Sequence, residues 1–112
     1  MSVVDLYNVP QTPSDMDRWA SLHMIHHRLI NLAIYRQHHI ALPEYVIDPI
    51  DMRNPTAFLD QHQTMHNNTD SVLGLSGYDL SDVDLTDARQ LSGWIWLNAQ
   101  LHFQEATATG AF

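Results

Sequence analysis

Cysteine and lysine are both absent from this chain of 112 residues. Without cysteine, disulfide scaffolds, thiol catalysis and thiolate-ligated metal sites are excluded. Without lysine, a P-loop and a Schiff base are excluded as well. The GxSxG elbow of serine hydrolases is also missing. Nucleophilic catalysis therefore has little support, and we expect no enzyme activity.

Positive charge is scarce. The chain has five basic residues, all arginine, and thirteen acidic residues, which gives a formal net charge of -8. Nucleic-acid binding relies on neutralisation of phosphates by basic side chains, so this balance argues against it. The same balance argues against an anionic membrane surface. No apolar run is long enough to cross a bilayer, and no charged-then-apolar leader is present. We expect a soluble protein made in a cytoplasm, with neither nucleic acid nor membrane as a partner.

An aspartate-rich loop, YDLSDVDLTD, has the composition of a calcium site. The EF-hand pattern requires glycine at loop position six and glutamate at position twelve. Counted from Asp79, these positions hold Asp84 and Leu91. An EF-hand is excluded, and turn formation and helix capping explain the aspartates better.

Helix signals begin after an N-terminal stretch that has no helical period. Residues 1–11 are predicted to form an extended arm, and residues 12–112 a single helical domain. Thr12 as N-cap and Pro13 in the first turn predict a first helix that runs to about His38.

Two further helices are predicted, and a connector with three prolines spaced six apart, residues 38–55, separates the first from the second. Asn54 is the expected N-cap of the second helix, which starts at Pro55 and ends at Leu73 before Gly74. Thr86 or Asp84 is the expected cap of the third, from about Asp87 to Thr107. The predicted fold is mostly α, a small three-helix bundle with an extended arm and a proline-rich connector.

Polar side chains are concentrated on helix faces that ought to be apolar. At 100° per residue these side chains fall on the inner face of each helix, and His27 lies beside the inner face of the first helix. If the three inner faces meet, the side chains share one interior. The predicted buried polar set is His23, His26, His62, His66, Asn98, His102 and Glu105.

Three interpretations of this set remain open. Imidazole has a donor and an acceptor, so a buried hydrogen-bond network without any cofactor is the preferred one. A transition metal ion is the alternative, with His62, His66, His102 and Glu105 as ligands, joined by His23 or His26. Two pairs of histidines four residues apart could each bind one ion, namely His62 with His66, or His23 with His27. A pH-sensitive interface is the third, because imidazole titrates near neutrality.

Apolar side chains also lie on the outward faces of two helices, which a lone three-helix bundle cannot cover. Trp96 lies roughly 160° from Trp94 on the same helix, because each residue advances the helix by 100°. We expect these faces to pack against other subunits. The predicted contact residues are Val3, Val4, Leu6, Tyr7, Trp96 and Phe103.

The segments FLDQHQTMHN and WIWLNAQLHFQ, joined by a glycine-rich turn and the aspartate-rich loop, resemble a group of small helical virion-associated proteins of tailed bacteriophages. The likeness covers about Trp19 to Gln104, and His62, His66, Trp94 and His102 match its pattern. Asn98 departs from it, since many relatives have histidine there, and this weakens a shared metal site. Members of the group have no assigned biochemical activity.

The resemblance implies a structural component of the virion in its capsid, neck or tail, acting by protein–protein packing. Its partners would be other virion proteins and copies of itself, and it would be assembled in the host cytoplasm. The alternative is a histidine-rich metal-binding bundle with oxidase, hydrolase or metal-carrying activity. A small regulatory binder of a host protein is a third hypothesis, which shares the acidic surface.

Overall fold

The computed structural model describes residues 3–43 and 55–111, which form one short 3-10 helix and three α-helices. The 3-10 helix is Val3–Tyr7. The α-helices are α1 (Pro13–His38), α2 (Thr56–Leu73) and α3 (Ala88–Thr109). No strand occurs in the described part of the chain. This confirms the predicted mostly-α, three-helix fold.

Helix α1 begins and ends where the sequence predicts. The Thr12 hydroxyl accepts a hydrogen bond from the backbone N–H of Asp15 at 3.1 Å, which satisfies one of the unpaired donors of the first turn. At the other end His39 adopts a left-handed conformation, with φ 57°, and its N–H donates to the carbonyl of Tyr35. These two caps set the predicted bounds of the longest helix.

Helix α2 also ends as predicted, at Leu73. Gly74 takes the left-handed conformation, with φ 71°, that lets it close the helix. At the start, Pro55 occupies the cap position rather than the first helical position. The predicted cap, Asn54, and most of the proline-rich connector lie outside the described residues, in segment 44–54.

Helix α3 has a different cap from the two that were predicted. The Asp87 carboxylate accepts hydrogen bonds from the backbone N–H groups of Arg89 and Gln90, both at 3.0 Å. Thr86 and Asp84 are not the cap because they pair with each other, the Thr86 N–H donating to the Asp84 carboxylate at 2.9 Å. The helix ends at Thr109, two residues beyond the predicted end.

Part of the predicted extended N-terminal arm is helical instead. It forms the 3-10 helix, which packs on α1 and α3. Leu6 is fully buried, and its carbonyl accepts a hydrogen bond from the indole N–H of Trp19 at 3.1 Å. The segment therefore belongs to the chain's own core, because Leu6 fills space that the helices leave open.

Two buried tryptophans link the helices to the segments that precede them. Trp19 is tied to the 3-10 helix, and the indole N–H of Trp94 donates to the carbonyl of Leu80 in the loop before α3 at 2.8 Å. Their rings lie 5.7 Å apart between α1 and α3. Within residues 3–43 and 55–111, no helix has both the length and the apolar character needed to cross a membrane.

Candidate metal centre

Five histidines from all three helices converge at one point in the interior. His23 and His27 come from α1, His62 and His66 from α2, and His102 from α3. One ring nitrogen of each lies within 4.8 Å of the corresponding nitrogen of every other. The pairs on α1 and α2 are four residues apart, so both members of each pair project from the same helix face. We call this group the five-histidine cluster.

Aromatic side chains enclose one side of the cluster. The Trp19 ring stacks on His23 with centroids 4.6 Å apart, and the Trp94 ring lies 5.1 Å from that of His62. Four of the five imidazoles have no exposed surface, and His27 is 4% exposed. The cluster is therefore shielded from water.

Four of the Nε2 atoms form a continuous chain. The distances are 3.2 Å from His27 to His23, 3.3 Å from His23 to His62, and 3.1 Å from His62 to His66. An imidazole nitrogen carries either one hydrogen or one in-plane lone pair, so it can form one good hydrogen bond. The Nε2 atoms of His23 and His62 each have two such neighbours. Hydrogen bonds can therefore satisfy the two outer contacts of this chain but not the middle one.

His102 completes the cluster without a hydrogen bond. Neither of its ring nitrogens has a hydrogen-bond partner among the described residues, although the side chain is fully buried. Its ring lies 4.6 Å, centroid to centroid, from those of His23 and His27. A buried polar atom without a hydrogen-bond partner is destabilising, and a ligand bound to the ring nitrogens of His102 would remove this cost.

Burial keeps the five imidazoles uncharged. It is the largest cause that lowers the pKa of every histidine in the cluster, to about 4 for His66 and well below the usual 6.5 for the other four. Repulsion between neighbouring rings lowers the pKa of His23, His27, His62 and His102 further. Metal ions bind the neutral form of imidazole, so the cluster is in the binding-competent state at neutral pH.

Two buried carboxyl groups lie behind the cluster. The Nδ1 atom of His66 is 2.9 Å from the carboxylate of Glu105, and the Asp70 carboxyl lies close enough to both residues to interact with them electrostatically. Burial raises the pKa of both carboxyls to about 8. Coulomb interaction with Glu105 raises the pKa of Asp70 further.

Gly77 makes room for Asp70. Its φ is 71°, and a Cβ atom added there would collide with the Asp70 carboxylate. A side chain at this position would therefore strain the backbone and force the Asp70 carboxylate to move. The loop after α2 packs its backbone against the outer carboxyl pair.

Every residue of the predicted polar set is buried, but only some of them belong to the five-histidine cluster. His23, His62, His66 and His102 belong to the cluster. His26 does not, although it is fully buried, and its ring lies 6.1 Å from that of His102. The remaining two members are Asn98, whose side chain influences the pKa of His23, His62 and His66, and Glu105 in the outer pair.

Two residues of the site were not in the predicted set. His27, placed beside the inner face and considered only as a possible metal-binding partner of His23, is a full member of the cluster. Asp70 was missed, although it follows His66 by four residues, the same spacing that joins His62 to His66. Its buried carboxyl would have been indicated by extending that spacing one more turn.

The six predicted contact residues lie in three different environments. Val4, Trp96 and Phe103 are exposed, at 67%, 54% and 55% of their surface. Tyr7 is half-buried and meets Trp96 edge to face, with centroids 6.5 Å apart. Leu6 is fully buried inside this chain, so it has no surface for a partner. The side chain of Val3 lies outside the described residues.

No protein-family model, no curated protein and no solved structure matches this chain. The resemblance to virion-associated proteins of tailed bacteriophages therefore stays a prediction.

The dimensions of the cluster fit a single metal ion. Two nitrogen ligands on opposite sides of an ion lie about 4.2 Å apart, because each metal–nitrogen bond is about 2.1 Å long. The separations in the cluster reach 4.8 Å, so a small inward movement of the rings would place all five nitrogens around one ion. The donor set is nitrogen only, which suits zinc, copper, nickel and iron better than magnesium or calcium.

Proposed function

We propose that this chain is a metal-binding helical protein, and that the five-histidine cluster holds one transition metal ion. The observation that carries the proposal is the chain of four Nε2 atoms. The central contact, between His23 and His62, cannot be a good hydrogen bond while the two outer contacts are formed. A cation shared by these nitrogens accepts all their lone pairs at once.

The hydrogen-bond network first favoured from the sequence explains the arrangement less well. Such a network requires each buried donor to face an acceptor. His102 has no hydrogen-bond partner among the described residues, and its ring is turned into the cluster. A metal ion removes both difficulties, because it needs only lone pairs from its ligands.

The ion's role follows from where its ligands originate. Two come from α1, two from α2 and one from α3, so one bound ion joins all three helices. Catalytic metal sites keep a position open for water or substrate, whereas structural sites are enclosed by their ligands. The burial of the rings favours the enclosed type. The proposed activity is thus metal binding that stabilises the fold, rather than oxidase or hydrolase chemistry.

Native mass spectrometry of protein loaded with zinc tests this proposal. We expect one zinc ion per wild-type chain and none retained by His62→Ala at micromolar zinc, because His62 lies at the centre of the Nε2 chain. His38→Ala is the matched control, since His38 is exposed on α1. Far-UV circular dichroism establishes that each variant is folded. A folded wild-type protein that binds no zinc, copper or nickel would contradict the proposal.

A second function is favoured by a different observation, the exposed aromatic side chains of α3. Trp96 and Phe103 are each more than half exposed, and large exposed apolar groups indicate protein–protein contact. They support a structural role by packing, as in the virion of a tailed bacteriophage, with other virion proteins or copies of this chain as partners. Metal binding inside the bundle and packing on its outer face are compatible in one molecule.

A further inference from the structure

The two carboxyl groups behind the cluster are almost completely buried. Glu105 and Asp70 are 1% and 4% exposed. Buried acids are retained in proteins when a charge or a metal compensates them. Glu105 touches the cluster through a single contact, to Nδ1 of His66.

The contact between Glu105 and His66 has a direction. When Glu105 is the carboxylate, it can only accept, so Nδ1 of His66 must carry the hydrogen. The other ring nitrogen, Nε2, then presents its lone pair to the cluster, where it lies 3.1 Å from Nε2 of His62. Carboxylate groups commonly fix metal-bound histidines in this way.

The pair can also supply charge when a cation is bound, because a nearby positive charge favours the ionised form of a carboxyl group. The five ligands are neutral imidazoles, so a bound divalent ion would bring two uncompensated positive charges into the interior. An uncompensated buried charge is strongly destabilising. Glu105 would be separated from such an ion by the imidazole ring of His66, and Asp70 lies close to Glu105.

We infer that Glu105, through its contact with His66, is the positioning residue and outer counter-charge of the metal centre, and that the ligand is a divalent first-row transition metal cation. This role of Glu105 rests on the proposed metal centre and goes one step beyond it. The five imidazoles alone would accept a monovalent soft cation as well as a divalent one. The carboxylate favours the divalent ion, since its attraction grows in proportion to the ion's charge.

The test compares wild-type protein with Glu105→Gln in their affinities for Zn²⁺ and for the monovalent ion Ag⁺. The glutamine carbonyl can still accept the hydrogen bond from His66, so this variant removes the charge and keeps the acceptor. We expect Zn²⁺ affinity to fall about tenfold, as for other outer-sphere carboxylates. Ag⁺ affinity should fall only about threefold. An ion with half the charge loses half the Coulomb energy, and this halves the logarithm of the change in affinity.

Two controls separate this electrostatic role from a structural one. Glu105→Asp keeps the charge and should leave the ratio of Zn²⁺ to Ag⁺ affinity within about twofold of wild type, because Coulomb attraction changes little over a small displacement. Asp60→Asn removes one negative charge from the exposed face of α2 and should leave the ratio unchanged. A disrupted fold would instead weaken both ions equally.

Equal losses of Zn²⁺ and Ag⁺ affinity in folded Glu105→Gln would overturn the role of Glu105 while leaving the metal centre in place. If wild-type protein binds neither ion, the metal centre itself is refuted. Should Glu105→Gln fail to fold, Asp70→Asn takes its place, since it also removes a carboxyl from the pair. It is expected to lower the same ratio, and an unchanged ratio there would overturn the inference.

Discussion

Lowering the pH from 7 to 5 should unfold the metal-free protein. All five histidines of the cluster have a folded-state pKa below that of the unfolded chain, which is near 6.5. Below pH 6.5 the unfolded chain therefore binds protons that the folded chain does not. The stability associated with these neutral rings is fully present above pH 6.5 and is lost as the pH falls.

The magnitude follows from the number of rings. Each histidine that stays neutral in the folded state lowers the free energy of unfolding by roughly 2 kcal/mol between pH 7 and pH 5, and five give roughly 10 kcal/mol. Asp70 and Glu105 act in the opposite sense. Their raised pKa values stabilise the fold at low pH, and this contribution is lost as the pH rises towards 8. Two protons held by the pair offset roughly 5 kcal/mol of the loss at pH 5.

The net loss is therefore comparable to the whole stability of a domain of this size, roughly 5–15 kcal/mol. Urea unfolding followed by far-UV circular dichroism in the presence of a chelator, at pH 7, 6 and 5, measures it. His38→Gln is the matched control and should show the wild-type dependence, because His38 is exposed. A free energy of unfolding that stays constant from pH 7 to pH 5 would refute the buried, neutral cluster.

Two further variants, one single and one double, test the loop behind the site and the outer face of α3. Gly77→Ala should lower the free energy of unfolding by roughly 2 kcal/mol more than Gly74→Ala does. Both glycines have φ 71°, but only a Cβ atom at Gly77 would meet Asp70. Equal losses for the two variants in urea unfolding would rule out the close approach. Trp96→Asp combined with Phe103→Asp should abolish self-association or incorporation into particles, measured by sedimentation, while Ser92→Asp on the same helix should not. Unchanged assembly of a helical double variant would exclude that face as the contact surface.

Helix bounds could be predicted closely because local signals determine them. Thr12 and Gly74 act through their own side chain or backbone conformation, and both fulfil the predicted role. The cap of α3 was mispredicted because Asp84, Thr86 and Asp87 are all capable caps, and sequence alone does not show that the first two pair together. The 3-10 helix of the N-terminal segment depends on tertiary contact with Trp19, which has no local signature.

The candidate site could be predicted in part. Helical spacing indicated that His23, His62, His66 and His102 face one interior, and they do. Spacing could not decide between a hydrogen-bond network and a metal centre, because this depends on which ring nitrogens meet. The meeting of four Nε2 atoms, and the placement of His27 inside rather than beside the cluster, are properties of the packed helices.

The complete burial of four cluster rings has a kinetic consequence. An ion held there could not leave while the helices stay packed, so its exchange with the surroundings would proceed through local opening of the bundle. The residence time of the metal would then be set by the rate of opening rather than by the strength of the metal–nitrogen bonds. Such a protein would release its ion slowly even to a chelator of much higher affinity, and its metal content would record the conditions under which it folded.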